Sequence, residues 1–222
     1  MSTIPKRNSI CAVIPFYNEK ENLAGVISCA LPHVDHLILV DDGSTDGTQN
    51  IIPLNEKIIL IAHPQNLGKG AALKSGLIES IKRGFDISIT LDADMQHPPD
   101  DIPKFISELK KYDVVVGNRL SSLGNMPLQR IASNKLTSLL LSLKTKIKLP
   151  DTQCGFRGYR NNVLENILPN FSGYEAESEM LINASRSNCR IGFVTIPTIY
   201  ANEKSKMKPV KTIIGFLRVL FI

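Results

Sequence analysis

Two carboxylates and an amide oxygen fall within five residues at Asp92, Asp94 and Gln96. The apolar and small run Ile87–Leu91 precedes them and stops abruptly at the first aspartate. A buried strand ending in paired carboxylates delivers oxygen donors to the carboxyl end of a sheet, where open α/β folds bind ligands. Such donors suit a hard divalent cation, Mg²⁺ or Mn²⁺, better than Zn²⁺. The chemistry this favours is departure of a diphosphate, because a divalent ion neutralises the charge that builds as a glycosidic bond breaks. Asp-x-Asp is otherwise a common solvated turn, and its place behind a buried strand is what favours the cation. His97, followed by Pro98 and Pro99, reads either as a ligand or base or as part of a structural turn.

Three further polar clusters follow apolar runs. Tyr17, Asn18 and Glu19 follow Ser9–Pro15, and Asp41 and Asp42 follow His36–Val40. Aspartate suits the Gly-Ser-Thr-Asp-Gly turn that comes next. One carboxylate is expected to serve that turn, and Asp42 is the candidate acceptor for ribose hydroxyls or base N–H groups. Arg119 follows Tyr112–Val116, and Arg130 lies on a helix expected to pass nearby. Two guanidinium groups make a bidentate clamp for a phosphate. Asn66-Leu67-Gly68-Lys69-Gly70 matches neither common phosphate-loop spacing; phosphate contact and a plain glycine-rich helix start are equal readings. His63 is a weaker candidate.

Alternating strands and helices must position these residues. Strands are expected at 9–15, 36–40, 58–62, 87–91 and 112–116, with helices at about 19–30, 45–54, 71–83 and 99–111. That alternation argues for a three-layer α/β/α fold, Rossmann-like, with a mostly parallel central sheet. Parallel strands share one carboxyl edge, so four clusters distant in sequence converge on one crevice. Beyond Arg119 the expected elements are a polar loop at 121–125, a long helix at 127–149 and a loop with a short strand at 151–160. Helices at 161–168 and 175–187 and a last strand at 191–196 complete this part. From Pro209 to Ile222 an apolar helical pattern keeps Lys211, Gly215 and Arg218 on one side. It is too short to span a bilayer, which takes about 20 apolar residues. Packing on the core and lying in a membrane interface are the two readings.

Hydrophobic residues make up 43% of the 222-residue chain and charged residues 21%, so a packed core is expected and disorder is not. The net charge of +5 belongs mostly to residues 201–222, where Lys204, Lys206, Lys208, Lys211 and Arg218 face only Glu203. The rest is close to neutral, which argues against nucleic-acid binding and for contact of the tail with an anionic surface. Cys11, Cys29, Cys154 and Cys189 lie far apart, as expected of free thiols in a reducing cytosol. No apolar run follows the basic start, so no secretory signal is expected.

The segments VIPFYNEKENL (13–23), VDDGSTDGT (40–48), NLGKGAALKSGL (66–77), LDADMQHPPDDIPKF (91–105), VVVGNRL (114–120) and DTQCGFRGYR (151–160) span most of the chain. Together they resemble the inverting family-2 glycosyltransferases of GT-A fold, and within them the dolichyl- and polyprenyl-phosphate sugar synthases, dolichol-phosphate mannose synthase-like. The resemblance implies one catalytic domain at 1–200, with a nucleotide-sugar half at 1–119 and an acceptor half at 120–200, then a basic amphipathic tail at 201–222. It implies that Pro15, Tyr17, Glu19, Asp42, Asp92 and Ala93 hold the donor. Asp92, Asp94 and Gln96 match the metal–diphosphate motif, served by Mg²⁺ or Mn²⁺. Arg119 and Arg130 match residues that receive an acceptor phosphate, with Lys206 near it. Asp94, Asp151 and Arg119 are the implied catalytic residues, and Arg157 belongs to the same active-site loop as Asp151. Glu177 and Glu179 lie in a matching acidic helix. The chain has no tryptophan, so the QxxRW motif of processive polysaccharide synthases is absent.

The expected reaction moves a hexose from a nucleotide-diphosphate sugar, of GDP-mannose or UDP-glucose type, to a polyprenyl or dolichyl phosphate with inversion. A phosphate monoester is largely dianionic at neutral pH, so it needs positioning and charge balance more than a base. With a saccharide hydroxyl as acceptor, the alternative, Asp151 or Glu177 would be the base. A nucleotidyltransferase would carry a basic glycine-rich loop where Phe16-Tyr17-Asn18-Glu19 stands. A nucleotide-sugar-binding protein without activity is opposed by the complete carboxylate set. The expected location is the cytoplasmic face of a membrane, held peripherally by the tail, by a membrane-anchoring partner or as a homodimer.

Overall fold

Strand β1 (Ile10–Phe16) is buried along its whole length, as a central strand covered on both faces must be. The computed structural model describes residues 8–120, 128–197, 199 and 209–222. After β1 come α1 (Leu23–Ala30), β2 (His36–Asp41), β3 (Ile58–Ala62), α2 (Lys69–Lys82), β4 (Ile87–Thr90), α3 (Ile102–Glu108) and β5 (Val114–Asn118). Then follow α4 (Leu128–Thr145), β6 (Arg157–Arg160), α5 (Asn161–Ile167), α6 (Ala176–Arg186), β7 (Ile191–Thr195) and α7 (Pro209–Leu220). The strands form one sheet in the order β3-β2-β1-β4-β6-β5-β7. β6 runs antiparallel to both β4 and β5, and every other pairing is parallel.

Adjacent positions on a strand face opposite ways. On one face α2 lies against Val13 and Val40, and Ser88 donates a hydrogen bond to Ser80 of α2 at 2.7 Å. On the other face Leu109, at the end of α3, meets Ile89 and Gly158. The architecture is therefore the expected three-layer α/β/α with a mostly parallel sheet.

Two local expectations are corrected. The helix expected at 45–54 is only a 3₁₀ turn at Thr48–Ile51. Gly47 has φ +81°, the Asp46 carboxylate takes the Thr48 N–H at 2.9 Å, and Pro53 holds Ile52 extended. The helix expected from Glu19 starts at Leu23, because Glu19 to Asn22 form a turn closed on the Glu19 carbonyl. The short strand expected within 151–160 is β6, which lies in the sheet between β4 and β5, strands that follow one another in sequence without pairing.

Helix α7 packs on α4 and α6. Gly215 and Val219 face inward, and Lys144 Nζ donates to the Leu220 carbonyl at 2.7 Å. Ile213 and Leu217 of α7 and Phe221 just after it remain exposed, as do Leu136, Leu139 and Leu143 of α4. Among the described residues no helix is long and apolar enough to cross a membrane.

A methyl group at Gly76 of α2 would overlap Val13 Cγ1 and lie 3.0 Å from Val40 Cγ2. Gly76→Ala should therefore push α2 off the sheet and cost about 1–3 kcal/mol. Urea unfolding measures this directly, and an unchanged midpoint would contradict the packing described.

Candidate active site

The carboxyl ends of β1, β2, β4 and β5 lie on one edge of the sheet, so Tyr17 and Glu19, Asp41 and Asp42, Asp92 and Asp94, and Arg119 meet there. β3 ends on the same edge and leads to Gly68 and Lys69. Because β6 runs the other way, it is its beginning that reaches this edge, and the preceding loop 151–155 comes with it. Antiparallel insertion is thus what brings Asp151 to a site otherwise built from strand ends.

Asp92 is held by a lysine. Lys69 Nζ lies 2.7 Å from Asp92 Oδ1 and 3.1 Å from Glu177 Oε1. Burial alone would raise the Asp92 pKa, but the Lys69 charge and hydrogen bond more than offset it and hold the carboxyl below its usual range. Burial alone would lower the Lys69 pKa, and the two carboxylates instead keep it raised and charged. Ala93 is buried beneath the turn. Asp94 Oδ1 accepts the Gln96 N–H at 3.1 Å, and Met95 between them takes a left-handed φ of 56°. This tight turn folds three oxygen-bearing side chains, Asp92, Asp94 and Gln96, into one corner.

His97 is structural. Its Nδ1–H donates to the Pro197 carbonyl at 3.2 Å, tying the turn to the end of β7. Burial, reinforced by the Arg119 charge, holds its pKa below the usual value. The Cys154 thiol, 4.0 Å from His97 Nε2, is pushed up to about 12 by burial and is no nucleophile at neutral pH.

Both aspartates of the second cluster accept hydrogen bonds from neighbouring loops. Asp41 accepts the Ser44 N–H at 2.8 Å and the Gln49 amide. Asp42 Oδ1 accepts from His63 Nδ1 at 2.8 Å and the Leu67 N–H at 2.9 Å, and Oδ2 accepts the Gly68 N–H at 2.8 Å. His63 in turn reaches Ser75 Oγ at 3.0 Å, so it orients Asp42. The Asn18 N–H meets Ser44 Oγ at 2.9 Å and its side chain takes the Thr45 N–H at 2.8 Å, joining the first cluster to the second. Pro15 is buried inside β1, opposite Val40, while Tyr17 is exposed at the rim and Glu19 accepts from Asn22 at 3.0 Å.

The glycines at 68 and 70 owe their place to packing. Gly70 and Ala71 donate their N–H groups to the Ser172 carbonyl at 2.7 and 3.2 Å, which caps the start of α2 with protein. A Cβ at Gly68 would strike that same carbonyl, and one at Gly70 would lie 2.5 Å from Ala176 Cβ. What this loop offers the crevice is therefore the Lys69 side chain rather than a backbone cradle for phosphate.

Arg119 and Asp151 form a buried, two-pronged ion pair. Arg119 Nε lies 2.8 Å from Oδ2 and its NH2 group 3.0 Å from Oδ1, while the Arg119 and Gln153 N–H groups add bonds of 3.1 and 3.0 Å. Burial would raise the Asp151 pKa, but the Arg119 hydrogen bonds and charge more than offset this and hold it low. Asp151 thus holds Arg119 in a fixed orientation. Arg157, expected near the reacting groups, is fully buried and donates to the carbonyls of Cys154, Glu177 and Thr152 at 2.8, 2.6 and 2.9 Å. It fastens the loop to α6. Glu179 accepts the N–H groups of Asn170 and Phe171 at 2.8 and 2.9 Å, another loop-holding task. Arg130 is exposed on the first turn of α4, and Lys206 lies outside the described residues. The arginine clamp is therefore represented in the described structure by Arg119 with its aspartate. Sequence reasoning missed the Lys69–Glu177 contact; the lysine between two glycines was its only signal.

Among the described residues no three His, Cys, Asp or Glu side chains converge to hold a metal ion unaided. The all-oxygen set Asp92, Asp94 and Gln96 still fits a hard cation that completes its shell with phosphate oxygens and water, as Mg²⁺ commonly does.

A carboxylate whose native pKa is lowered stabilises the fold fully above its unfolded value and loses that contribution as pH falls through the native one. Asp151→Asn should thus cost about 3–5 kcal/mol at neutral pH, the cost of breaking a buried pair. The gap to the wild type should stay constant down to about pH 4 and close below it. Denaturant titrations across that range measure it, and a gap that widens in acid would contradict the assignment.

The chain matches the model of Glycosyl transferase family 2 over residues 11–168. It is 35% identical to the UDP-N-acetylglucosamine–dolichyl-phosphate N-acetylglucosaminyltransferase of Methanococcus voltae, over 93% of this chain and 92% of the relative. It is 28% identical to the polyprenol monophosphomannose synthase of Mycolicibacterium smegmatis, over 75% of this chain and 67% of that one. Glucosyl-3-phosphoglycerate synthase from Mycobacterium tuberculosis, crystallised with Mn²⁺, UDP and glucosyl-3-phosphoglycerate, superposes with a TM-score of 0.72 at 21% identity, over 96% of this chain and 77% of that chain, and so shares the fold. Strand ends bearing an Asp-x-Asp turn, on a sheet of this topology and with these relatives, make the chain a member of glycosyltransferase family 2, and an enzyme of that class.

Proposed function

We propose that the chain transfers a hexose from a nucleotide-diphosphate sugar to the phosphate of a polyprenyl or dolichyl lipid, with inversion, at the edge where Asp92, Asp94 and Arg119 meet. The observation that carries this reading is the Arg119–Asp151 pair: the carboxylate placed for a base is fully engaged, and a guanidinium is held in fixed orientation. A dianionic phosphate acceptor needs that arrangement, whereas a hydroxyl acceptor needs a base. Glu177, the other base considered, is bound to Lys69. The names of the Methanococcus and Mycolicibacterium relatives point to lipid-phosphate acceptors.

The acceptor oxygen forms its bond to the anomeric carbon as the bond from that carbon to the diphosphate breaks, and the pair of electrons leaves with the nucleoside diphosphate. Residues 1–119 form the donor half, where Pro15, Tyr17, Glu19, Asp42, Asp92 and Ala93 line the nucleotide sugar. Residues 120–200 form the acceptor half, with Arg119, Arg130 and Lys206 around the lipid phosphate. Asp94, Asp92 and Gln96 would hold Mg²⁺ or Mn²⁺, which supplies charge neutralisation for the leaving diphosphate. That the structural neighbour was crystallised with Mn²⁺ and UDP supports the same reading.

A lipid acceptor requires contact with a membrane. Phe221 is 88% exposed and Leu143 68%, on two helices that touch each other, and Arg218 is exposed beside them. An apolar surface edged with basic charge suits an anionic bilayer interface. The free state of all four cysteines supports placing the chain on the cytoplasmic face.

Two measurements test this. With polyprenyl phosphate, Mn²⁺ and a panel of nucleotide sugars that includes UDP-N-acetylglucosamine and GDP-mannose, Asp94→Ala should abolish transfer. Arg119→Ala should damage a phosphate acceptor far more than a hydroxyl one. Full activity in the first variant, or equal damage in the second, would sink the assignment. In co-sedimentation with anionic vesicles, Leu217→Glu with Phe221→Glu should weaken binding by about tenfold or more. Unchanged sedimentation would remove the role given to α7.

A further inference from the structure

We infer that Lys69 is a positioning residue, a resident cation that neutralises and fixes Asp92 in the unloaded protein, so that a divalent ion binds well only together with a diphosphate. The inference rests on the site proposed above and assigns a function to a residue outside its ligand set. The ammonium is shared between Asp92 Oδ1 at 2.7 Å and Glu177 Oε1 at 3.1 Å, with the Tyr174 ring centroid 5.8 Å away. Gly155 lies against the same carboxylate, where a Cβ would stand 2.5 Å from Asp92 Oδ2 and 3.0 Å from Oδ1. The carboxylate is thus held by a lysine at Oδ1 and packed against the glycine.

The lysine itself has little slack. The residue before it is bound to Asp42, and the residue after it is bound to the Ser172 carbonyl. The fold therefore sets where its side chain starts, and the two carboxylates hold its end.

The three groups carry a net charge of −1. A divalent ion approaching Asp92 meets a fixed positive charge a few ångströms away, which opposes its binding. A diphosphate adds negative charge that both the ion and the ammonium can share, so the two ligands favour each other. This couples metal and donor without a conformational change.

Isothermal titration of Mn²⁺ into the full chain, alone and with UDP or GDP, tests the idea without relying on turnover. Lys69→Met leaves both carboxylates uncompensated and should bind Mn²⁺ alone about tenfold more tightly, with reduced synergy from the nucleotide. Glu177→Gln makes the cluster neutral and should shift Mn²⁺ affinity the other way by a similar factor. Lys69→Arg should restore the wild-type response. A lysine with only a structural role would lower Mn²⁺ affinity in both Lys69→Met and Glu177→Gln, together with the melting temperature, and that result overturns the inference. Should Lys69→Met not fold, Glu177→Gln decides: weaker binding at an unchanged melting temperature supports the inference, and equal or tighter binding, or weaker binding with a lowered melting temperature, ends it. Asp94→Ala separates the two levels. Loss of Mn²⁺ binding there, with Lys69→Met unchanged from wild type, leaves the site standing and removes the role of Lys69. Wild-type Mn²⁺ binding by Asp94→Ala removes the site itself.

Discussion

The arrangement of this molecule depends on one reversed strand. β6 enters between β4 and β5 against their direction, so its amino-terminal end lies where its neighbours have their carboxyl ends. A wholly parallel sheet would have sent the 151–155 loop to the opposite edge. Reversal places Asp151 beside Arg119 and Gly155 against Asp92, and the buried Arg157 then nails the loop to α6 through three carbonyls. The 151–155 loop meets Arg119 and Asp92 because one short strand runs backward.

Around that strand the site is built from compensated charge. Asp92 has Lys69, Asp151 has Arg119, and Asp42 has His63 with two backbone N–H groups. A buried carboxylate without such a partner would shift its pKa upward and lose its charge. Asp92 and Asp151 therefore keep their charge because another part of the chain has been brought to each. The consequence is functional as well as structural: cations and held carboxylates face the crevice, a setting for charged substrates and not for proton abstraction.

The same distribution of polarity continues outward. α7 uses Gly215 and Val219 to seat itself on the domain and leaves larger apolar side chains outside. The two readings open for the tail are therefore not exclusive, since one helix both packs and presents an apolar face. Its glycine lies close against the Glu175 carboxylate.

Much of this was legible in the sequence. Periodic apolar runs ending in Asp, Asn or Arg specified a mostly parallel sheet and the convergence of four clusters on one edge, because strand direction follows from helical crossovers. Motif spacing was enough to place Asp92, Asp94 and Gln96 in one turn. Partner choice was not legible. That Asp42 holds a loop, that Asp151 belongs to Arg119 and that Lys69 bridges Asp92 and Glu177 are contacts across 23 to 108 positions of chain. The glycines of the 66–70 loop looked the same whether phosphate or Ser172 was their neighbour. Local pattern determines which residues reach an edge, since it needs only backbone geometry and burial. Which charge meets which is decided by the tertiary structure alone, because it depends on the order and direction of strands that are not adjacent in sequence.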